Sequence, residues 1–238
     1  MSETAKKNSD LGVRTLSAIV IVALAVAAVW LGGWFWIGFV ALLAGGVLWE
    51  WNALAHKFSH SALGEIVWLF FGVLYVGAAA LAFVAIREAY VPLFFLIGFV
   101  LPIAAVDIGA YFAGRAIGGP KIAPKLSPSK TWAGLGGGIV AASLVALGVQ
   151  FFYPEAGHFS FGYTPEFDWR DVVGAVMAGS FIAVIAQAGD FFQSWMKRRA
   201  GVKDSGKLIP GHGGLFDRLD GFIAVFFVLA ITRYALAG

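Results

Sequence analysis

The chain has 238 residues, 60% of them hydrophobic and 13% charged, with a net charge of +3. A water-soluble domain carries about 25% charged residues, so too few polar side chains are present to cover an aqueous surface, and lipid must solvate much of the chain. The lack of cysteine excludes disulfides and thiolate metal sites, while the 31 glycines suit close helix approach in a bilayer.

A membrane-crossing helix needs about 20 mostly apolar residues. Seven segments meet this, at roughly 14–31, 34–53, 65–86, 91–112, 132–152, 171–191 and 221–238. The first follows Lys6, Lys7 and Arg14 and passes into the second without a small-residue cleavage site, so it reads as a retained span rather than a secretory signal. Only Gly32-Gly33 separates the first two, which predicts a tight hairpin. The fourth is uncharged from Val91 to Val106 and then meets Asp107. The last is the weakest candidate, with Arg233 near its end, where a long side chain can snorkel. The expected fold class is all-α, a polytopic integral membrane protein of seven to nine transmembrane helices, the higher number allowing for a break in the fourth and sixth runs.

Lys and Arg set the orientation. With the N-terminus on the cytoplasmic side, only Arg87, Arg170 and Arg233 of the 17 Lys and Arg fall outside. The outer loop 153–170 then carries Glu155, Glu166 and Asp168 against a single Arg. This divides the chain into an N-terminal membrane hairpin (1–60), central membrane spans (61–106) and a catalytic membrane region (107–238) with cytoplasmic loops 113–131 and 192–220. No internal repeat is visible.

The first of these loops is led by Asp107, Tyr111 and Arg115, which share one helix face. Asp107 and Arg115 are candidates for substrate binding, or neutralise each other at the membrane edge. Lys125, Ser127-Pro128, Lys130, Thr131 and Trp132 follow. Proline disfavours helix at Ser127, so Lys130 and Thr131 stand where the fifth span begins. Such a start is an anion site, or a plain N-cap with Trp132 as interfacial anchor.

The second loop carries the densest chemistry. Asp190 closes the sixth span, and Asp217 and Asp220 open the seventh, three residues apart on one face. Either acid alone reads as a helix cap favoured by the dipole. Three acids at one membrane edge point further, since carboxylates at that depth are expensive and usually functional, and their oxygens suit Mg²⁺. Between them, Lys197, Arg198, Lys203, Lys207 and Arg218 surround Pro210-Gly211-His212-Gly213-Gly214. Glycines let backbone N–H groups approach an anion, and Lys and Arg hold phosphates. The run Lys197–Arg199 reads equally well as an anchor to anionic lipid, and His212 as a general base or as a turn partner.

The run Ser194-x-x-Lys197-Arg198-x4-Lys203-Asp204-x5-Pro210-Gly211-His212-Gly213-Gly214-x2-Asp217-Arg218-x-Asp220 resembles the signature of the phosphatidate cytidylyltransferases, also called CDP-diacylglycerol synthases. The runs Asp107-x-x-Ala110-Tyr111-x-x-Gly114-Arg115 and Ser127-Pro128-x-Lys130-Thr131 are similar to that family too, so the resemblance spans about the last 130 residues. Earlier residues share only the span pattern and the Trp49-Glu50 pair. One departure is Ala133-Gly134, where the family often has Glu-Gly.

The resemblance implies transfer of a cytidylyl group from CTP to phosphatidic acid in a bacterial inner membrane, by a homodimer that needs Mg²⁺ and a second cation such as K⁺. It implies Asp190 and Asp220 as metal ligands with Asp217 a ligand or close neighbour, and Asp190, Asp217, Asp220, Lys130 and Arg218 as the catalytic set. Ser127, Lys130, Lys203, His212 and Arg218 would hold phosphates. Lys125, Ser194, Lys197, Gly213, Gly214, Asp107 and Arg115 complete the substrate-binding candidates. The partners are then the two substrates and membrane lipid, with no nucleic acid. A CDP-alcohol phosphotransferase is the nearest rival, but the span after Asp217-x2-Asp220-Gly221 has no further Asp. A transporter would place its polar groups near the bilayer midplane and show repeats. A purely structural membrane protein gives no reason for a His-Gly-Gly loop between acids.

Overall fold

The computed structural model describes residues 3–152, 169–209, 211 and 213–236. Residues 153–168 of the acidic loop expected over 153–170, together with Pro210 and His212, lie outside the described residues. The architecture is helical, with α1 (Glu3–Leu31), α2 (Gly33–Phe58), α3 (Ala62–Ala89), α4 (Pro92–Phe95), α5 (Leu101–Ala116), α6 (Trp132–Phe152), α7 (Trp169–Arg199) and α8 (Phe216–Leu236). A π-helical turn, Leu96–Val100, joins α4 to α5. Among the described residues, five helical runs are long and apolar enough to cross a membrane, namely Gly33–Phe58, Ala62–Ala89, Pro92–Ala116, Trp132–Phe152 and Trp169–Arg199. Thr15–Leu31 is apolar but shorter. Trp34, Leu42, Phe70 and Val140 are among many large apolar side chains that point outward, as lipid solvation requires.

The structure adds one element that an all-helical reading omits. Strand β1 (Lys121–Ala123) pairs antiparallel with β2 (Ser127–Thr131), with Ala123 opposite Ser127 and Lys121 opposite Thr131. Pro128 has no N–H to donate, which confines it to an edge position, and a two-strand ribbon is all edge.

The chain divides into two compact units, Met1–Ala89 with Trp195–Gly238, and Tyr90–Ser194. In the first unit, α2, α3 and α8 pack on one another. At the predicted turn, α1 ends and α2 begins. Gly32 takes φ +64°, open to glycine without steric cost, and a Cβ there would sit 2.7 Å from the Arg87 guanidinium. That guanidinium donates to the Val29 carbonyl at the end of α1, while the neighbouring Glu88 accepts the Gly33 N–H at 3.0 Å. A cation thus meets the negative end of α1 and an anion the positive end of α2. Trp51, 1% exposed, donates its Nε1–H to the Trp68 carbonyl at 2.8 Å and lies against the rings of Tyr75 and Phe216.

In the second unit, α5 and α6 form a close antiparallel pair built on small residues. A Cβ on Gly109 would lie 2.4 Å from the Gly137 carbonyl, and one on Gly137 would lie 2.2 Å from the Ala113 Cβ. Backbones this close gain dispersion contacts that larger side chains would prevent. The expected fourth span carries its irregularity in the π-helical turn, whereas the sixth is one unbroken α-helix of 31 residues.

Candidate active site

Two clusters hold the candidate residues, one in each unit. In the unit Tyr90–Ser194, Lys130 is the central charge. The hairpin carries it on β2, and its Nζ lies 2.5 Å from Asp190 Oδ2 and 3.9 Å from Asp107 Oδ1. Asp190 keeps 24% side-chain exposure and Asp107 81%. The Asp190 contact is therefore the shorter and the better desolvated, while the Asp107 contact is a solvent-facing pair worth little. Ser194 Oγ donates to Asp190 Oδ1 at 3.4 Å, one helical turn on.

Asp107 and Arg115 do not neutralise each other. Eight residues of helix separate them by about 12 Å, so Asp107 faces Lys130 and Arg115 donates to the Tyr111 hydroxyl at 2.9 Å. Thr131 follows the plainer of its two readings. It is buried, and its Oγ1 accepts the Gly134 N–H at 3.0 Å as the N-cap of α6. Trp132 is 58% exposed. Ser127 is half-buried in the hairpin, and Lys125 is exposed at its turn.

In the other unit, Asp217 organises the segment between α7 and α8. Its Oδ1 accepts from Lys197 Nζ at 2.7 Å. Its Oδ2 accepts from the Ser205 N–H at 2.8 Å, the Ser205 hydroxyl at 3.0 Å and the Gly214 N–H at 3.1 Å. The basic run thus splits by role. Lys197 is tied to Asp217 with 16% side-chain exposure, and Arg199 stacks over the rings of Trp195 and Phe58. Gly213, at φ +85°, closes a short loop in which the Ile209 N–H donates to its carbonyl at 3.0 Å. The anion that the Gly214 N–H approaches is the protein's own Asp217. Asp220 lies half-buried in the second turn of α8, its Oδ1 accepting the Gly221 N–H at 2.7 Å. Arg218 and Lys203 are exposed.

Glu50 entered the sequence reading only as half of the Trp49-Glu50 pair, with no role assigned to it. It sits within α2 and is 2% exposed. Its carboxylate accepts from Ser205 Oγ at 2.7 Å, from the Leu215 N–H at 3.0 Å and from the Phe216 N–H at 2.9 Å. It therefore caps the start of α8 from another helix. The available signal was a lone carboxylate within the apolar stretch Trp34–Trp51 of α2, which is costly without a purpose.

Among the described residues, no three or more His, Asp or Glu converge into a ready metal cage. Mg²⁺ does not require one, because it is usually held by one or two carboxylates plus waters and substrate phosphates. Asp190 and Asp220 offer hard oxygens of that kind. Donors meet both oxygens of Asp190 and of Asp217, and Asp217 carries the more, with Lys197, the Ser205 N–H and hydroxyl and the Gly214 N–H on it.

The pattern that defines the family described as "Cytidylyltransferase family" matches residues 59–236. A phosphatidate cytidylyltransferase of Rickettsia bellii is 34% identical over 222 residues, covering 92% of this chain and 88% of the relative. One from Rickettsia conorii is 33% identical over 238 residues, covering 97% and 94%. One from Brucella suis is 39% identical over 158 residues, which is 66% of this chain and 53% of that longer protein.

Proposed function

The chain belongs to the cytidylyltransferase family, and from that premise we infer its reaction: it transfers the cytidylyl group of CTP to phosphatidate, giving CDP-diacylglycerol and pyrophosphate. It is a transferase of phospholipid synthesis with membrane character. The observation that carries the reading is the run Ser194–Asp220, which lies whole inside the family match and pairs Lys197, at the end of α7, with Asp217, at the start of α8.

The phosphate of phosphatidate attacks the α-phosphorus of CTP. A phosphorus–oxygen bond forms to the lipid phosphate, the bond from the α-phosphorus to the bridging oxygen breaks, and pyrophosphate leaves with that electron pair. The nucleophile is already anionic, so no strong base is needed. The work is positioning and charge neutralisation. When bound, Mg²⁺ supplies positive charge to the phosphates and holds them in place. We assign that ion to Asp190 and Asp220, with Asp217 beside it and K⁺ as a second cation. Lys130, Lys203, Arg218, Ser127 and His212 hold phosphate oxygens, and Lys125, Ser194, Arg115 and Asp107 bind the substrates. Lys197, Gly213 and Gly214 shape the loop.

Seven helices cross the bacterial inner membrane, with the N-terminus and the active site on the cytoplasmic side, and two copies pair as a homodimer. Support for the orientation comes from the placement of all but three of the 17 Lys and Arg on one side, and support for the compartment from the bacterial relatives. This places the soluble nucleotide and the lipid phosphate at one boundary.

The test is incubation of the purified protein with phosphatidate and CTP labelled at either the α- or the γ-phosphorus. Label at α passes into the lipid phase and label at γ into pyrophosphate. No transfer by folded protein, or CMP release from CDP-diacylglycerol and an alcohol, overturns the reading.

A further inference from the structure

We propose that Glu50 is a positioning residue for cytidylyl transfer, holding the loop and helix start that carry Asp217, Arg218 and Asp220; the inference rests on the function proposed above. Glu50 accepts three donors, two of them the N–H groups that open α8. Those N–H groups have no partner inside their own helix, and a carboxylate is favoured there by the helix dipole. The surroundings are shaped to the carboxylate. A Cβ on Gly206 would lie 2.2 Å from Glu50 Oε1, and one on Gly214 would lie 2.6 Å from Glu50 Oε2. Backbone from both sides of the loop thus closes on this one side chain.

Ser205 links Glu50 to the candidate site. Its Oγ is 2.7 Å from Glu50 Oε2 and 3.0 Å from Asp217 Oδ2. A hydroxyl has one proton to donate, so the two carboxylates share a single hydroxyl, and the Ser205 and Gly214 N–H groups complete the hold on Asp217. Asp217 in turn fixes Lys197. Continuous polar contacts therefore run from the middle of α2 to the charged residues that begin α8. A group that only glued helices together would not need to end on them.

The experiment uses full-length protein in detergent, with rates expressed per folded molecule and wild type measured alongside. Glu50→Gln keeps size and one acceptor oxygen. Ser205→Ala removes only the shared hydroxyl. Both are expected to lower kcat by about 10- to 100-fold, the scale of a misplacement near 1 Å, with KM for CTP nearly unchanged. The double variant is expected to lose less than the product of the two, because the residues act through one contact. Folded Glu50→Gln with wild-type kcat overturns the proposal. If Glu50→Gln does not fold, Ser205→Ala decides, a reduced kcat supporting the proposal and a wild-type kcat overturning it. Inactive wild-type protein would instead refute the cytidylyltransferase reading, so the two failures are distinct.

Discussion

The Glu50 carboxylate on α2 accepts the backbone N–H of Phe216 at 2.9 Å, across 166 positions of sequence, and the adjoining Trp51 ring lies 5.7 Å from the Phe216 ring. Two consecutive residues of α2 thus set where α8 begins, one by capping and one by packing. Trp51→Ala should cost about 3–5 kcal/mol of stability, the usual range for deleting a buried aromatic. Trp51→Phe should cost less. Thermal unfolding in detergent measures both.

The Lys197–Asp217 pair is mostly shielded, with side-chain exposures of 16% and 11%. Breaking a pair of this kind from one side costs about 3–5 kcal/mol when it is fully buried. Lys197→Met is therefore expected to cost about 2–3 kcal/mol, between that figure and an exposed pair. The double variant Lys197→Met/Asp217→Asn should be less destabilised than the sum of the singles. Unfolding midpoints of the four proteins check this.

Lys130 gives a separate expectation. Its ammonium neutralises Asp190 and, in the proposed reaction, meets phosphate charge. Lys130→Met should lower the initial rate by about 10²-fold, the scale of losing one preorganised charge donor, and Lys130→Arg should recover part of it. A lysine that only oriented the chain in the membrane would leave the rate per folded enzyme unchanged.

The α5–α6 contact can be tested by adding volume. Gly137→Val forces a side chain into the space of Ala113 and the Gly109 carbonyl. Overpacking of this kind costs about 1–3 kcal/mol. A Cβ on the neighbouring Gly136 meets nothing within 4 Å, so Gly136→Ala should leave the unfolding midpoint unchanged or raised.

The local features of the fold were legible in sequence, and the distant ones were not. Gly32-Gly33 announced a helix boundary, because glycine readily takes the positive φ that both residues show. Ser127-Pro128 announced extended backbone, and Ser127 lies in a strand, but nothing local required a partner strand at Lys121–Ala123. Glu50 was invisible as a cap because its acceptors serve N–H groups brought close only by the fold. Gly214 was read as a phosphate contact from its neighbours. Its N–H meets Asp217, and the shape of Glu50 and Ser205 explains why no side chain fits there. Lys130 and Asp190 were each singled out, while their 2.5 Å pairing depends on the hairpin.

Aspartate near the start of α8 is proposed to carry cation-dependent cytidylyl transfer. The most direct measurement is the turnover of Asp220→Asn with CTP, phosphatidate and a Mg²⁺ titration, on protein shown to be folded in detergent. Turnover is expected to fall by about 10³-fold, and excess Mg²⁺ is not expected to restore it. Wild-type turnover with an unchanged Mg²⁺ requirement would overturn the assignment.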